Sequence, residues 1–384
     1  MDIGVLRETA EGERRVALLP EGVGRLTSAG HHILVERGAG EAASIPDTAY
    51  ATAGAEVVPD AASLYSRAAL ILKVRAPSPD EVAQLRPGTV LVGLLQPLTS
   101  PELVTALAAG NITSFSLDAL PRISRAQSMD VLSSMSTVSG YRSVLTGATL
   151  QGKFFPLLMT AAGTVTPARV LILGAGVAGL QAIATAKRLG AVVHAFDTRP
   201  AVKEQVESLG ASFLTLPPVA QAEDSGYARQ LADEEVERER ALLRDPVKEA
   251  DVVITTALVP GTRAPVLITA DMVKAMRPGS VIVDLAAEGG GNCELTVPGQ
   301  QVSVGGVTID GSLNVPSQMP QPASQLFSRN ITTFVTHLLS VGLKQDPADG
   351  MQLDLSDEIV RGTCITHQGK VVHEATRARL ERSS

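Results

Sequence analysis

The chain has 384 residues, of which 45% are hydrophobic, 19% charged and 3% aromatic, with no tryptophan. This length and composition predict a globular protein of two domains, with cores built from Ala, Val, Leu and Ile. The net charge of −7 and the absence of a Lys/Arg run exclude nucleic-acid binding as an expected function. Cys293 and Cys364 lie far apart without a zinc or disulfide pattern, so we expect no metal site and a reducing compartment.

The first third of the chain alternates β-rich runs with amphipathic stretches, which predicts a parallel α/β sheet. Strands are predicted at 3–6, 33–36, 70–74, 89–95 and 112–117, and helices at 21–29, 63–69 and 101–109. A polar segment, 121–130, follows and leads into a predicted long helix at 131–150. No run is typical of a membrane span, and residues 1–4 do not begin a signal peptide.

The second third carries continuous Val/Ile/Leu runs that are typical of buried parallel strands. Strands are predicted at 170–173, 192–196, 252–255 and 281–285. Residues 314–325 contain three prolines and predict a crossover linker. The remainder, 326–384, is too short for an independent domain, so we expect it to pack back onto the first domain.

The stretch 220–245 is too polar to be buried. A solvated helix is one interpretation. The other is a mobile flap over a ligand site, hinged at Gly226.

A glycine motif follows the strand predicted at 170–173. Gly174, Gly176 and Gly179 have the G-x-G-x-x-G spacing, and the helix that begins at Val177 ends before Gly190. Gly174 permits a tight turn, Gly176 lets a pyrophosphate approach the backbone, and Gly179 lets helix and strand pack closely. The helix N-terminus offers N–H groups to the phosphates. The motif predicts a dinucleotide site.

Asp197 ends the next predicted strand, where a carboxylate accepts hydrogen bonds from the adenosine ribose and repels a 2′-phosphate. NAD(H) is therefore favoured over NADP(H), although Arg199 weakens the argument because arginines there can hold a 2′-phosphate. The segment Thr256-Ala257-Leu258 ends a later strand and is expected to touch the cofactor, or else to be an ordinary loop.

Together these patterns predict an α/β fold of two Rossmann-like domains with parallel sheets, the first discontinuous in sequence. We expect residues 1–133 plus 320–384 to form the first domain. Residues 139–315 are expected to form the NAD(H)-binding domain, with the mobile loop at about 220–240.

The reactive groups outside the glycine motif are few. No histidine has the spacing of a triad or a metal site, and Arg14, Arg15 and Lys73 are candidates for holding an anion or for being solvated. The segment 122–130 concentrates polar residues at the predicted joint between domains, where ligand clefts are common. A salt-bridged linker is the alternative.

The chain resembles the NAD(H)-binding component (domain I, or alpha subunit) of proton-translocating nicotinamide nucleotide transhydrogenase, a family related to alanine dehydrogenase. The resemblance runs from Ile3 to about His373. Its most specific stretches are 121–130, 159–165, 176–190 and 290–293.

The resemblance implies roles for individual residues. Gln127 resembles the glutamine that contacts the nicotinamide and its ribose, with Arg122, Asp130 and Ser133 as the polar set around it. Asp197, Thr198 and Arg199 resemble the adenosine-ribose segment. Gly226 and Tyr227 resemble the tip of the family's mobile loop, which favours the flap over the solvated helix.

The chemistry implied is direct hydride transfer between NADH on this chain and NADP+ on a separate NADP(H)-binding component. The reacting atoms would approach to about 3–3.5 Å without a general acid or base. The family couples this transfer to proton movement through a membrane-spanning component, so we expect a homodimeric, cytoplasmic protein held at the inner face of the plasma membrane by its partners.

Two alternatives stay open from the sequence. Alanine dehydrogenase resembles this chain at Arg15 and Lys73, but its histidine aligns near Gln96 and its catalytic aspartate with Glu288. A stand-alone, alanine dehydrogenase-like oxidoreductase is therefore the competitor. The third interpretation is a non-enzymatic NAD(H) sensor.

Overall fold

A computed structural model describes residues 1–215, 233–258, 263–346 and 350–383. The chain divides into two compact units. Unit 1 comprises Met1–Met135 and Ser317–Ser384, and unit 2 comprises Ser136–Pro316.

The N-terminal portion of unit 1 alternates strands and helices as expected. Its strands lie within one residue of the predicted bounds, apart from a short β3 that was not predicted. The strands are β1 (Asp2–Val5), β2 (His32–Glu36), β3 (Glu56–Val58), β4 (Leu70–Arg75), β5 (Val90–Leu94) and β6 (Thr113–Ser116). The helices are α1 (Pro20–Ser28), α2 (Asp47–Thr52), α3 (Ala61–Tyr65), α4 (Pro79–Gln84) and α5 (Pro101–Ala109). Helix α6 (Val131–Leu150) follows, and from Ser136 onward it belongs to unit 2.

The prediction for 63–69 is wrong in its bounds, because α3 begins and ends earlier. The side chain of Asp60 accepts a hydrogen bond from the backbone of Ser63 and caps the helix N-terminus.

Unit 2 contains the predicted strands and several short ones. They are β7 (Leu158–Thr160), β8 (Gly163–Val165), β9 (Arg169–Leu173), β10 (Val192–Phe196), β11 (Ser212–Leu214), β12 (Val252–Thr255), β13 (Val281–Asp284), β14 (Gln301–Val304) and β15 (Val307–Asp310). The helices are α7 (Val177–Arg188), α8 (Lys203–Ser208), α9 (Asp233–Glu249) and α10 (Ala270–Ala275).

The C-terminal portion of the chain returns to unit 1. It contains α11 (Pro320–His337), β16 (Leu343–Asp346), β17 (Gly350–Leu353), α12 (Glu358–Thr363), β18 (Cys364–His367), β19 (Lys370–Val371) and α13 (Glu374–Ser383). The linker predicted at 314–325 is wrong in its second half, because Pro320 occupies the first turn of α11. A proline is tolerated there, since the missing N–H would have no partner within the helix.

Both units are built on mostly parallel sheets. In unit 1 the strand order is β19-β18-β6-β5-β4-β1-β2-β3, and only β18 and β19 run antiparallel to their neighbours. In unit 2 the order is β11-β10-β9-β12-β13-β15-β14, with only β14 antiparallel. The parallel strands of each sheet follow the doubly wound order of dinucleotide-binding folds. The predicted fold class is confirmed.

The polar stretch after residue 220 is described only from residue 233, where α9 begins. The prediction that this stretch is too polar to be buried is wrong at Glu239, which is 2% exposed. Glu239 lies four residues before the buried Leu243 and eight before the buried Val247, so it shares the inner face of α9 with them. Among the residues that the structure describes, no helix is long and apolar enough to cross a membrane.

Candidate functional site

The glycine loop joins β9 to α7 at the carboxyl edge of the unit 2 sheet. Strand β9 lies between β10 and β12, which is where the strand order reverses and where ligands bind in such folds. Gly174 has a φ of +96°, and a Cβ there would lie 2.4 Å from Thr256 Oγ1. A Cβ on Gly179 would lie 1.8 Å from the carbonyl oxygen of Gly174. These two glycines are required by the packing of the loop itself.

Gly176 differs from the other two glycines of the motif. Its φ is −75°, which any residue adopts, and a Cβ there would meet no described atom within 4 Å. It is the N-cap residue of α7, whose first turn has no side-chain cap and no acidic residue. Val177, the next residue, is 44% exposed. The loop therefore presents an open helix N-terminus with an unscreened partial positive charge.

Asp197 follows β10 and reaches the glycine loop. Its Oδ2 accepts a hydrogen bond of 2.7 Å from the backbone N–H of Ala175. The guanidinium of Arg199 donates to both carboxylate oxygens, from Nε to Oδ1 and from Nη2 to Oδ2, each at 3.0 Å. The backbone N–H of Arg199 also donates to Oδ1, at 2.9 Å. Thr198 lies between the two, half-buried. The carboxylate thus ties the end of β10 to the loop after β9.

Thr256, Ala257 and Leu258 follow β12, the other neighbour of β9. The hydroxyl of Thr256 donates to the carbonyl oxygens of Leu173 and Gly174, at 3.2 and 3.1 Å. Leu258 is 46% exposed. The structure therefore brings this segment against the glycine loop, as expected from the strand order.

Asn292 hydrogen-bonds the backbone of the Thr256–Leu258 segment, a role that the sequence did not predict. It is fully buried. Its Oδ1 accepts from the N–H of Ala257 at 3.0 Å, and its Nδ2 donates to the carbonyl oxygens of Ala257 and Pro265 at 2.8 Å each.

Asp284, at the end of β13, holds Asn292 in turn. Its Oδ2 accepts from the backbone N–H groups of Asn292 and Cys293 and from the hydroxyl of Thr296, at 2.8, 3.0 and 2.6 Å. Its Oδ1 accepts from the hydroxyl of Thr255 at 2.8 Å. The run 290–293 was noticed only through the resemblance, because its role depends on contacts between three strand ends.

The segment predicted to meet the nicotinamide belongs to unit 1. Ser124–Met129 forms a 3-10 helix in which Gln127 is exposed, and Arg122 before it is also exposed. The side-chain amide of Asn330, in α11, donates to the carbonyl oxygen of Ser128 at 2.8 Å. The exposed Gln127 is thus carried by a backbone that α11 holds in place.

A second anchor of this segment is the carboxylate of Asp357. Arg125 donates to it at 3.2 Å, and His337 lies 3.0 Å from its other oxygen. Burial acts to raise the pKa of Asp357, but hydrogen bonds from His337, Val360, Ile359 and Arg125 outweigh it and lower that pKa to about 2. The anchor is therefore charged throughout the neutral range.

Asp130 and Ser133 are in direct contact. The Oδ1 of Asp130 accepts from the backbone N–H of Ser133 at 2.9 Å, and Oδ2 accepts from its hydroxyl at 2.6 Å. Asp130 immediately precedes α6, so it acts as the N-cap of that helix. The pair has a structural role beside the cofactor role that the resemblance implies. Gly226 and Tyr227 lie outside the described residues.

Arg15 and Lys73 are buried in unit 1, with 3% and 2% of their side chains exposed. Arg15 donates from Nε and Nη2 to the two oxygens of Glu13, at 2.7 and 2.6 Å. The Nζ of Lys73 lies 2.6 Å from Glu81 and 3.8 Å from Glu8. Neither side chain is solvated, and both are paired with carboxylates of this chain.

Comparison with known proteins agrees with this architecture. Residues 4–139 match the family described as alanine dehydrogenase/PNT, N-terminal domain, and residues 143–374 match alanine dehydrogenase/PNT, C-terminal domain. A Rhodospirillum rubrum protein, named as the first portion of NAD(P) transhydrogenase subunit alpha, is 49% identical over 384 residues, covering 98% of each chain. The alanine dehydrogenase of Bacillus subtilis is 32% identical over 388 residues, covering 98% of this chain and 93% of its own.

Solved structures show the same likeness. The transhydrogenase from Sinorhizobium meliloti superposes with a TM-score of 0.86 at 43% identity, covering 97% of this chain and 100% of that one. An L-alanine dehydrogenase superposes with a TM-score of 0.83 at 30% identity, covering both chains fully.

Two doubly wound α/β units, one of them with a glycine loop at its topological switch point, define the class of dinucleotide-fold proteins. Within that class the chain belongs to the alanine dehydrogenase/PNT family. The resemblance stated from the sequence is confirmed.

Proposed function

We propose that this chain is the NAD(H)-binding subunit of a proton-translocating transhydrogenase. Relatives named NAD(P) transhydrogenase subunit alpha, at 40–49% identity, support this assignment over the alanine dehydrogenases at 31–32%. Its activity is hydride transfer between NADH on this chain and NADP+ on a partner, coupled to proton movement by a membrane partner.

The empty space beside the Cα of Gly176 is the observation that carries the cofactor-binding part of the proposal. Nothing in the described fold requires a glycine at this position, since its backbone is ordinary and its Cβ would meet no atom. A pyrophosphate that lies against the loop would explain the missing side chain. The uncapped N-terminus of α7 supplies N–H groups and partial positive charge for the same anion.

The remaining residues would hold the rest of the cofactor. Asp197, Thr198 and Arg199 would bind the adenosine ribose, and the exposed Val177 and Leu258 would be covered on binding. The resemblance gives Gln127, Arg122, Asp130 and Ser133 to the nicotinamide end, and Gly226 and Tyr227 to a closing loop. When bound, NADH supplies the hydride, and the task of these side chains is to orient it and exclude water.

The proposal includes specific partners. An NADP(H)-binding component would supply the second nucleotide, and a membrane-spanning component would conduct the proton and hold the chain, a cytoplasmic protein, at the inner face of the plasma membrane.

A second copy of this chain would form a homodimer. In support, β7 and β8 form a separate two-stranded sheet, and large apolar side chains in β7 and just before it are exposed. Met159 is 79% exposed, Phe154 58% and Leu157 50%. Such a patch is typical of an interaction surface.

Reconstitution tests the function directly. Purified chain is titrated with NADH and NADPH by calorimetry, and hydride transfer is then followed with and without an NADP(H)-binding component. We expect the chain to bind NADH but not NADPH, and we expect hydride transfer only when the NADP(H)-binding component is present. Failure to bind NADH, or transfer without any partner, would overturn the proposal.

Alanine dehydrogenase activity is the competing function. The family relationship and the two basic residues at positions 15 and 73 favour it, whereas their burial in ion pairs with Glu13, Glu8 and Glu81 does not. The assay is ammonia-dependent NADH oxidation with pyruvate. Turnover by the purified chain would establish this second function in place of the first.

A further inference from the structure

The carboxylate of Asp197 is saturated with hydrogen bonds in this structure. A carboxylate offers about four acceptor sites, and Asp197 receives one bond from Ala175 and three from Arg199. The Asp197 side chain is only 6% exposed, whereas that of Arg199 is 25% exposed. The guanidinium therefore lies on the solvent side of a buried carboxylate.

This arrangement places the arginine and the ribose in competition. In the proposed NAD(H) complex the ribose hydroxyls need acceptor sites on Asp197, so at least one bond from Arg199 has to be exchanged. A guanidinium released from that pair is a fork-shaped cation next to the ribose, and such a group binds phosphate well.

We propose that Arg199 determines the choice between a 2′-hydroxyl and a 2′-phosphate, and that its ion pair with Asp197 keeps it from binding the phosphate. With the pair intact, the negative carboxylate repels a 2′-phosphate and the positive charge of Arg199 is neutralised. Without the carboxylate charge, Arg199 becomes a ligand for that phosphate. The inference rests on the proposed NAD(H) function and names the residue that sets its specificity.

The test uses the adenosine half of the cofactor alone. AMP and adenosine 2′,5′-bisphosphate differ only at the 2′ position and both lack nicotinamide, so Gln127 and its neighbours do not enter the comparison. Binding of both probes, and of NADH, is measured by calorimetry for the full chain and for D197N, R199A and the double variant. Asparagine is nearly isosteric and keeps an oxygen for the N–H of Ala175. Asp271→Asn, which neutralises a 90% exposed carboxylate of the same unit, is the charge control.

We expect D197N to improve binding of adenosine 2′,5′-bisphosphate by about tenfold or more, the scale of one charge-assisted hydrogen bond. The double variant should lose most of that gain, and the gain should shrink as salt is raised, because it is electrostatic. R199A alone and Asp271→Asn should show no such gain.

The outcomes separate the two proposals. An equal gain in D197N and in the double variant would mean that Asp197 acts by repulsion alone, and would overturn the role of Arg199. No gain in a folded D197N that still binds AMP would overturn it as well. A native chain that binds neither AMP nor NADH would instead refute the proposed function.

Discussion

The side-chain amide of Asn292 hydrogen-bonds both backbone polar groups of Ala257. It accepts from the N–H at 3.0 Å and donates to the carbonyl oxygen at 2.8 Å. A buried asparagine whose amide makes three hydrogen bonds fixes a loop as a backbone ladder would. The fixed loop carries Thr256, whose hydroxyl holds the first glycine of the motif. The end of β13 thereby positions the loop after β9.

We expect Asn292→Ala to weaken NADH binding by about tenfold, because it leaves the part-buried N–H and carbonyl groups of Ala257 unpaired and loosens the glycine loop. Calorimetric titration measures the affinity, and hydrogen exchange at Thr256 and Ala257 reports the loosening. Ser303→Ala, at an exposed position of β14, is the matched control. Unchanged affinity with faster exchange would show that the loop does not contribute to binding.

Alanine variants at Gly179 and Gly176 should separate an effect on folding from an effect on NADH binding. Gly179→Ala places a Cβ 1.8 Å from a carbonyl oxygen, so we expect the variant to be strongly destabilised. Gly176→Ala meets no described atom and should keep its melting temperature while it loses NADH affinity by about tenfold or more, as expected for a lost phosphate contact. Thermal melts and calorimetry measure the two effects. Full affinity in a folded Gly176→Ala would argue against a pyrophosphate at this loop.

Gln127 lies exposed on an anchored backbone, so its replacement should affect orientation more than folding. We expect Gln127→Asn to reduce hydride transfer at least about tenfold, because a shorter amide misplaces the nicotinamide, while NADH affinity changes only a few-fold. Single-turnover kinetics with the NADP(H)-binding partner separate the two. An equal loss of rate and affinity would make Gln127 a binding residue only.

Asp130 combines a helix cap with a role implied by the resemblance, and two variants divide these. Asp130→Ala should cost about 1 kcal/mol of stability, since it removes the cap of α6. Asp130→Asn keeps an oxygen for the N–H of Ser133, so we expect it to retain stability but to lose hydride transfer. Urea unfolding and transfer rates are compared for both. A fully active Asp130→Asn would leave Asp130 as a cap alone.

Glu8 makes the stability of unit 1 depend on pH. Burial raises its pKa to about 7, against the opposing effects of Lys73 and of hydrogen bonds from Val74 and Arg75, while Glu13 adds to the rise. The folded state therefore holds a proton that the unfolded state releases near pH 4.5. Stability is greatest below that pH and falls as pH rises to about 7, by at most about 1.4 kcal/mol per pH unit.

Glu8→Gln should remove this dependence, because the amide has no proton to lose. We expect the variant to gain stability relative to the native chain between pH 5 and pH 8, as measured by urea unfolding at both values. Glu102→Gln, at an exposed position of α5, is the control and should show no such gain. A difference between variant and native chain that is the same at both pH values would contradict the raised pKa.

Much of the fold was readable because its central strands are continuous Val/Ile/Leu runs, and α5 and α6 match their predicted bounds. Strands β14, β15 and β18 were not predicted, since they are short and lie in the last two positions of their sheets, where pairing with a partner strand defines them. The burial of Glu239 and the helical position of Pro320 depend on where each residue falls in its helix, which the composition of a stretch does not record. The glycine motif was visible as a spacing, whereas the contacts of Asp284 and Asn292 exist only once three strands are aligned.

The C-terminal portion of the chain completes the sheet of unit 1, where the hydroxyls of Ser114 and Thr366 meet at 2.6 Å across 252 residues of sequence. During translation, at about 5–20 residues per second, strand β6 would be exposed for roughly 10–50 s before β18 is made. An unpaired strand edge is a template for aggregation. Unit 2, which is continuous, can fold in that interval, so nascent unit 1 is the region of this protein with most need of a chaperone.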